Sequence, residues 1–470
     1  MSSLVIQGRR TISGTHAVSG NKNAVLPMIA ASLLTSEPVT LTNVPAILDV
    51  EAMLTAAKGF GARVTRDMKA ATVTLHCPKP KTAIISRDLA ARIRTSFLFA
   101  GPLLARLGRA SLPPPGGDAI GHRRLDTHFA GFRALGAKAV AGKKTLRFRG
   151  ALKGARILLD EASVTATENI LMASVLAKGR TEIYNAACEP HICDLAAMLN
   201  AMGAKVSGAG TNRLVVDGVE SLGGCTARVG CDYIEAGSYL AAAAVTGGEL
   251  VLTGIDPEPF EVLAGAFARF GVTWSIDAKE GTLKYVPKKR LKMKYDLGDA
   301  IPSVSDGTWP AFPSDLLSIL IVLATQTRGT CLFFEKMFES RLYFVDHLRQ
   351  MGAKIVQCDP HRVVVTGPSP LCGGTVGAND IRAGISLVIA ALCAKGETTI
   401  LNAETIDRGY VAVEKALVSL GASITRKPNC FKWRVIHEHL RQITRHSVTQ
   451  HAMNIFVSLV VLMEPFNLDI

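Results

Sequence analysis

The chain runs 470 residues, and at about 150 residues per domain it holds two to four domains, which excludes a single small module. With 48% hydrophobic and 20% charged residues it carries enough apolar material for a sizeable core, and wholesale disorder is excluded. Lys+Arg 53 against Asp+Glu 39 leaves a formal charge of +14; so basic a balance favours an anionic partner without choosing between nucleic acid, a membrane surface and a small phosphorylated substrate.

From the start of the chain, the first ten residues hold no apolar run of signal-peptide type. No stretch reaches the ~18 consecutive apolar residues of a membrane helix, and the ten cysteines are scattered, as in proteins of the reducing cytoplasm. The first elements are an apolar helix over residues 23–34, a strand over 39–43, a turn at Pro45, a helix over 49–60 and two short strands, 63–65 and 72–77. The same order recurs over residues 169–216, where ILMASVLA, TEIYNA, CDLAAMLNAM, AKVSG and RLVVDG follow one another. A short phrase marks the repeat: an amphipathic run ends in glycine, usually Gly-Ala, and a β-prone strand follows. It occurs around Gly61, Gly136, Gly203, Gly271, Gly352 and Gly421. Glycine suits a helix C-terminus that needs a left-handed residue. Six α/β units of about seventy residues, grouped three plus three around buried helices, are the expected architecture.

Chemistry is expected where the units differ, in their charged loops. SGNKN at 19–23 places Lys22 before a helix, an arrangement that suits an anion at the free N–H groups of the helix start, or a plain N-cap beside a solvated lysine. Residues 113–124, PPPGGDAIGHRR, read as a proline-stiffened lid with glycine hinges, Asp118 and the cations Arg123 and Arg124. His122 stands where a P-loop requires lysine, so nucleotide hydrolysis is excluded. WPAFPSD at 309–315 leaves Asp315 at a helix start, as an N-cap or as a base toward a hydroxyl. Arg341, Arg382 and Arg408 fall at corresponding unit ends, either as structural ion pairs or as a grip on phosphate and carboxylate. Cys188, His191 and Cys193 offer three soft ligands without a fourth, so no metal site is expected. The basic run 284–294 lacks the stacking aromatics of a nucleic-acid groove and reads as a solvated linker.

Several motifs together, SGNKNAVLP, RIRTSFLFAGPLLAR, PGGDAIGHRRLDTHF, DEASVTATEN, FPSD, FESRL, NDIRAGISLVIA and IDRGY, resemble the enolpyruvyl transferases over residues 3–427. The resemblance implies a two-domain inside-out α/β barrel of six βαβαββ repeats, three per domain. The first domain would be 22–232 with the lid, the second 1–21 plus 233–427. The closest branch moves the enolpyruvyl group of phosphoenolpyruvate to the 3′-hydroxyl of UDP-N-acetylglucosamine, releasing phosphate, in the first committed step of peptidoglycan synthesis. On that resemblance Lys22, Arg123 and Arg408 would hold phosphoenolpyruvate, and Asn23, Arg94, Ser163, Val164 and Met337 would line the nucleotide-sugar pocket. Asp315 would accept the hydroxyl proton, while Arg341 and Arg382 would add positive charge. Asp118 stands where most members carry a cysteine and would be the proton donor to the methylene carbon, with its pKa raised by desolvation and by the bound anion. The family's epoxide inhibitor, fosfomycin, would then find no thiol to alkylate. Thr165 replaces a common glycine near the uridine contacts. Transfer to shikimate 3-phosphate is disfavoured by the SGNKN entry, and a fold-retaining binding protein that has lost its chemistry is the third reading. No cofactor, metal, nucleic acid or membrane partner is implied. Residues 428–470 match no repeat and form an extension of unknown role.

Overall fold

The computed structural model describes residues 2–117 and 120–428. Its plan is helices inside and sheets outside. Three helices, Tyr233–Thr246, Ser314–Gln326 and Ile381–Cys393, pack on one another, and nearly every side chain along them is buried. Their sequences explain this: SDLLSILIVLATQ and IRAGISLVIAALC are apolar on all sides, and such a helix is stable only when surrounded. Lys22–Ala31, Ala100–Leu107 and Val164–Ser174 are the inner helices of the other half. Two hydrophobic cores result. One draws on residues between Ala24 and Val229, the other on residues from Leu4 to Val18 and from Cys231 to Ala422.

Six sheets cover these helices, five of four strands and one of three. The unit read from residues 169–216 is typical. Arg156–Leu158 lies parallel to Arg180–Tyr184, with Val164–Ser174 crossing between them, and Lys205–Ser207 and Arg213–Asp217 complete an antiparallel edge. All six phrase glycines have positive φ, between 81° and 102°. Each lies just past the end of its unit's outer helix and turns the chain into the next strand, a conformation that strains any residue with a Cβ.

The repeat is not uniform at the chain start. Ser2–Gln7 runs antiparallel between Glu397–Leu401 and Ser423–Pro428, so the sixth sheet takes an interior strand from the N-terminus. Gly14–Ala17 lies parallel to Leu250–Thr253, and Cys225–Arg228 parallel to Val39–Thr42. The chain passes between the two cores twice, near residues 18–21 and 229–232. The two passages are tied side by side: Asn21 N–H donates to the Gly230 carbonyl (2.8 Å) and Asp232 N–H to the Ser19 carbonyl (2.9 Å). No helix among the described residues is long and apolar enough to cross a membrane.

Candidate active site

The loop before Lys22–Ala31 is an N-cap. Asn21 Oδ1 accepts the N–H of Asn23 (2.7 Å) and Ala24 (3.2 Å), and Lys22 N–H donates to Asp232 Oδ2 (3.2 Å). The expectation of free N–H groups for an anion is therefore corrected: the first-turn donors are already taken, and the charge comes from the Lys22 side chain. That side chain is buried, with Nζ 2.7 Å from Asp49 Oδ2. Arg408, from the other core, donates through Nε to Asp49 Oδ1 at 2.9 Å. Burial first, then the nearby Arg382 and Arg408, pull the Lys22 pKa below the ordinary lysine value against the opposing pull of Asp49. One carboxylate in the first turn of Leu48–Gly59 thus gathers two cations from opposite halves of the molecule.

A second knot adjoins it. Asp315, in the first turn of Ser314–Gln326, accepts from Arg341 Nη2 (3.1 Å) and Arg382 Nη2 (2.9 Å). Both arginines are 5% exposed. Arg382 also donates to the Tyr410 hydroxyl (3.2 Å), itself 2.8 Å from Ser238 Oγ. Burial pushes the Asp315 carboxyl up, but Arg382, Arg341 and Lys22 together hold it well below the usual carboxylate range. Two of the Arg341 guanidinium nitrogens are buried without a hydrogen bond: Nε, which lies 4.0 Å from Glu335 Oε2, and Nη1. Behind Arg341, the fully buried Glu335 accepts from Ser314 Oγ (2.9 Å) and Phe338 N–H (3.1 Å). Burial and the adjoining Asp306 carboxyl push it up to about 9. Asp306 accepts the Met337 N–H at 3.3 Å, so the two acids shape the turn that carries Met337 and Arg341.

The lid reaches this turn. His122 N–H donates to Glu339 Oε1 (2.7 Å) and Ser340 N–H to the Ile120 carbonyl (3.1 Å), so the loop anticipated as mobile is docked across the cleft. Gly121, at φ +144°, permits the approach: a Cβ there would lie 2.4 Å from Glu339 Oε2. Arg94 Nη2 donates to the Arg123 carbonyl (2.8 Å), and burial followed by the Arg123 charge brings the Arg94 pKa down to about 10. Arg124 is held by Asp160 (2.5 Å). Ser163 precedes the helix Val164–Ser174, and its carbonyl accepts from Thr167 N–H and Oγ1, both at 2.9 Å. His128, whose pKa burial lowers to about 3, links Thr165 Oγ1 and Asn169, each at 3.2 Å, beneath this helix start. Asn23 is partly exposed at the first turn of its helix, and Met337 is 40% exposed.

The structure therefore brings Lys22 and Arg408 together, and Asp315 with Arg341 and Arg382, the two knots being electrostatically coupled through Lys22 and Arg382. Asp118 lies outside the described residues. Sequence reasoning missed Asp49, Asp232, Asp306 and Glu335. The only available signal for Asp49 was its place after the Pro45 turn, where an acid at a helix start looks ordinary. Cys188 Sγ donates to the Trp309 carbonyl (2.9 Å), and His191 is buried with neither ring nitrogen partnered. Among the described residues, no three His, Cys, Asp or Glu side chains are grouped to hold a metal.

Helices enclosed by six sheets, with opposed cations meeting at one cleft, define a transferase of the enolpyruvyl type, and comparison with known proteins agrees. The chain belongs to the family described as EPSP synthase (3-phosphoshikimate 1-carboxyvinyltransferase), whose model matches residues 6–465, past residue 427, where the resemblance read from the sequence ends. It is 50% identical over 428 residues to a UDP-N-acetylglucosamine 1-carboxyvinyltransferase of Treponema denticola, covering 91% of this chain and 100% of that protein. The relative of the same description from Bradyrhizobium diazoefficiens is 48% identical, with 90% and 98% covered. In three dimensions the enolpyruvyl transferase NikO from Streptomyces tendae shares the fold at a TM-score of 0.80 and 23% identity, over 91% of this chain and 99% of that one.

Proposed function

We propose that this protein transfers the enolpyruvyl group of phosphoenolpyruvate to the 3′-hydroxyl of UDP-N-acetylglucosamine, releasing phosphate, as a cytoplasmic enzyme of peptidoglycan synthesis. The observation that carries the reading is the meeting of Lys22 and Arg408 on Asp49. A doubly cationic position at the junction of two cores suits a small ligand that bears both phosphate and carboxylate. In the unliganded protein Asp49 balances this charge, and the substrate's oxygens take over part of that role while Arg123 approaches from the lid.

Asp315 is the base for the sugar hydroxyl. Between Arg341 and Arg382 it is always ionised, which keeps it ready to accept, but the same pairing makes it a weak base. A substrate oxyanion that engages Arg341 through Nη1 loosens the pairing and raises its basicity when the hydroxyl is in place. Asp118, carried by the lid, delivers a proton to the methylene carbon as the sugar oxygen adds to the neighbouring carbon; phosphate then leaves the tetrahedral ketal while a proton is lost from the new methyl group, which restores the carbon–carbon double bond. Asn23, Arg94, Ser163, Val164 and Met337 bind the nucleotide sugar. Docking of the lid on Glu339 excludes water from the tetrahedral intermediate.

The direct test incubates the full chain with phosphoenolpyruvate and either UDP-N-acetylglucosamine or shikimate 3-phosphate and measures phosphate release. Release with the nucleotide sugar alone is expected. Turnover with shikimate 3-phosphate would reassign the acceptor, and binding of the nucleotide sugar without turnover would leave a binding protein.

A further inference from the structure

Outside the cleft, one face of the molecule carries charge that the transfer reaction does not use. Between Asp126 and Asp160 the chain has eight Lys and Arg and no Asp or Glu. Two of these fall in one row with Arg109 across the three-stranded sheet: Lys138 is directly opposite Arg149, and Arg149 directly opposite Arg109. Residues so paired hold their Cβ atoms ~5 Å apart, and like charges there repel. All three side chains are exposed, and none makes a hydrogen bond or an ion pair with a described residue. Arg109 and Arg149 also line a cavity of about 320 Å³ with Leu107 and Gly108. It opens at the end of Arg109–Leu112 away from the lid.

The neighbouring repeat carries a carboxylate at the corresponding place. There Lys205 lies opposite Asp217, and Asp217 opposite Arg180. Arg180 grips Asp217 with two hydrogen bonds, 2.7 and 3.0 Å. The scaffolds coincide. Lys138 and Lys205 each stand two residues after a phrase glycine. Arg149 and Asp217 each precede a glycine whose N–H donates, at 3.0 Å, to the carbonyl of the glycine before Arg109 or Arg180. One position differs in sign, and a row with its own central anion becomes three uncompensated cations beside a cavity. We infer that Arg109, Arg149 and Lys138 form an anion site, separate from the active site, for a phosphate or diphosphate group that plays toward this row the part Asp217 plays in the neighbouring one. Two guanidiniums offer paired N–H donors to phosphate oxygens, and the lysine adds a point charge.

The test compares the full chain with Arg149→Asp, which restores the charge order of the neighbouring repeat, by titration calorimetry with pyrophosphate at constant ionic strength. The unmodified protein should bind one more pyrophosphate than the variant, whose enolpyruvyl transfer rate and unliganded melting temperature should be unchanged or, for the latter, higher. Arg109→Gln serves as a second variant and should weaken the same binding step at least tenfold. Equal stoichiometry and affinity in all three proteins would overturn the site. Parallel titrations with inorganic phosphate and with a nucleoside diphosphate identify the source: equal affinity for pyrophosphate and nucleotide means the site reads the diphosphate alone, and tighter nucleotide binding means the cavity also takes the nucleoside.

Discussion

Asp49 is one carboxylate on which two chemically important cations depend. Replacing it by Asn removes the carboxylate that Lys22 and Arg408 share, and loss of one partner from a buried charge pair costs about 3 kcal/mol. Asp49→Asn should melt several degrees lower and lose at least about tenfold in kcat as the two cations drift from their positions, read by differential scanning and by phosphate release. Lys22 itself predicts a pH effect. Its pKa in the folded protein lies below the ordinary value of 10.5, so between those two values the unfolded chain binds more protons. The destabilising contribution of this charge therefore shrinks as pH rises through that window, while the active, protonated lysine is lost. The alkaline fall of kcat/KM should come below the ordinary lysine range, and Lys22→Arg should move it upward. Asp118 offers a carboxylate where an epoxide would need a thiolate, so prolonged incubation with fosfomycin should leave the intact mass unchanged. Rapid inactivation with a covalent adduct would contradict this. In the sequence Lys22 and Asp315 draw attention as charges at helix starts, Asp118 as an acid in a glycine-rich loop and Arg408 as an arginine at a unit end. Asp49 does not, because carboxylates in the first turn of a helix are common wherever they stabilise its positive end.

Among elements, the docked lid depends on a residue without a side chain. Gly121→Ala would place a methyl group 2.4 Å from Glu339 Oε2 and strain the backbone at φ +144°, so the Glu339 carboxylate that accepts from His122 N–H must shift. A fall in kcat of about tenfold or more is expected, with faster proteolysis of residues 113–121; an unchanged rate would show that lid docking does not limit turnover. The repeats themselves could be read from the chain, since a glycine after a helix and a strand after the glycine are local requirements repeated six times. The interior place of Ser2–Gln7 could not, because its partners lie some four hundred residues away and alternation along six residues says only that a strand forms. The docked contact was hidden for the same reason: Glu339 is 217 residues from His122, and nothing near either residue announces the other.

For the molecule as a whole, the last strand among the described residues ends at Pro428, which pairs with Ser2. Removing residues 429–470 should leave the melting temperature within about 2 °C and phosphate release near the full-length rate. A collapse of expression or stability would assign the extension a structural role. Three plus three units around buried helices followed from the repeat and from fully apolar helices, whereas the route between the cores was expected only from the family resemblance, since local patterning carries no record of which strand of one unit closes another.

That route bears on how the protein is made. The first core, residues 24–229, is entirely translated before half the chain has left the ribosome, and it can consolidate at once. Ser2–Gln7 emerges earliest of all yet must wait until Ser423–Pro428 has been synthesised before both its edges are covered. At five to twenty residues per second that delay is roughly twenty to eighty seconds, during which the first strand made is an unpaired edge available to other nascent chains.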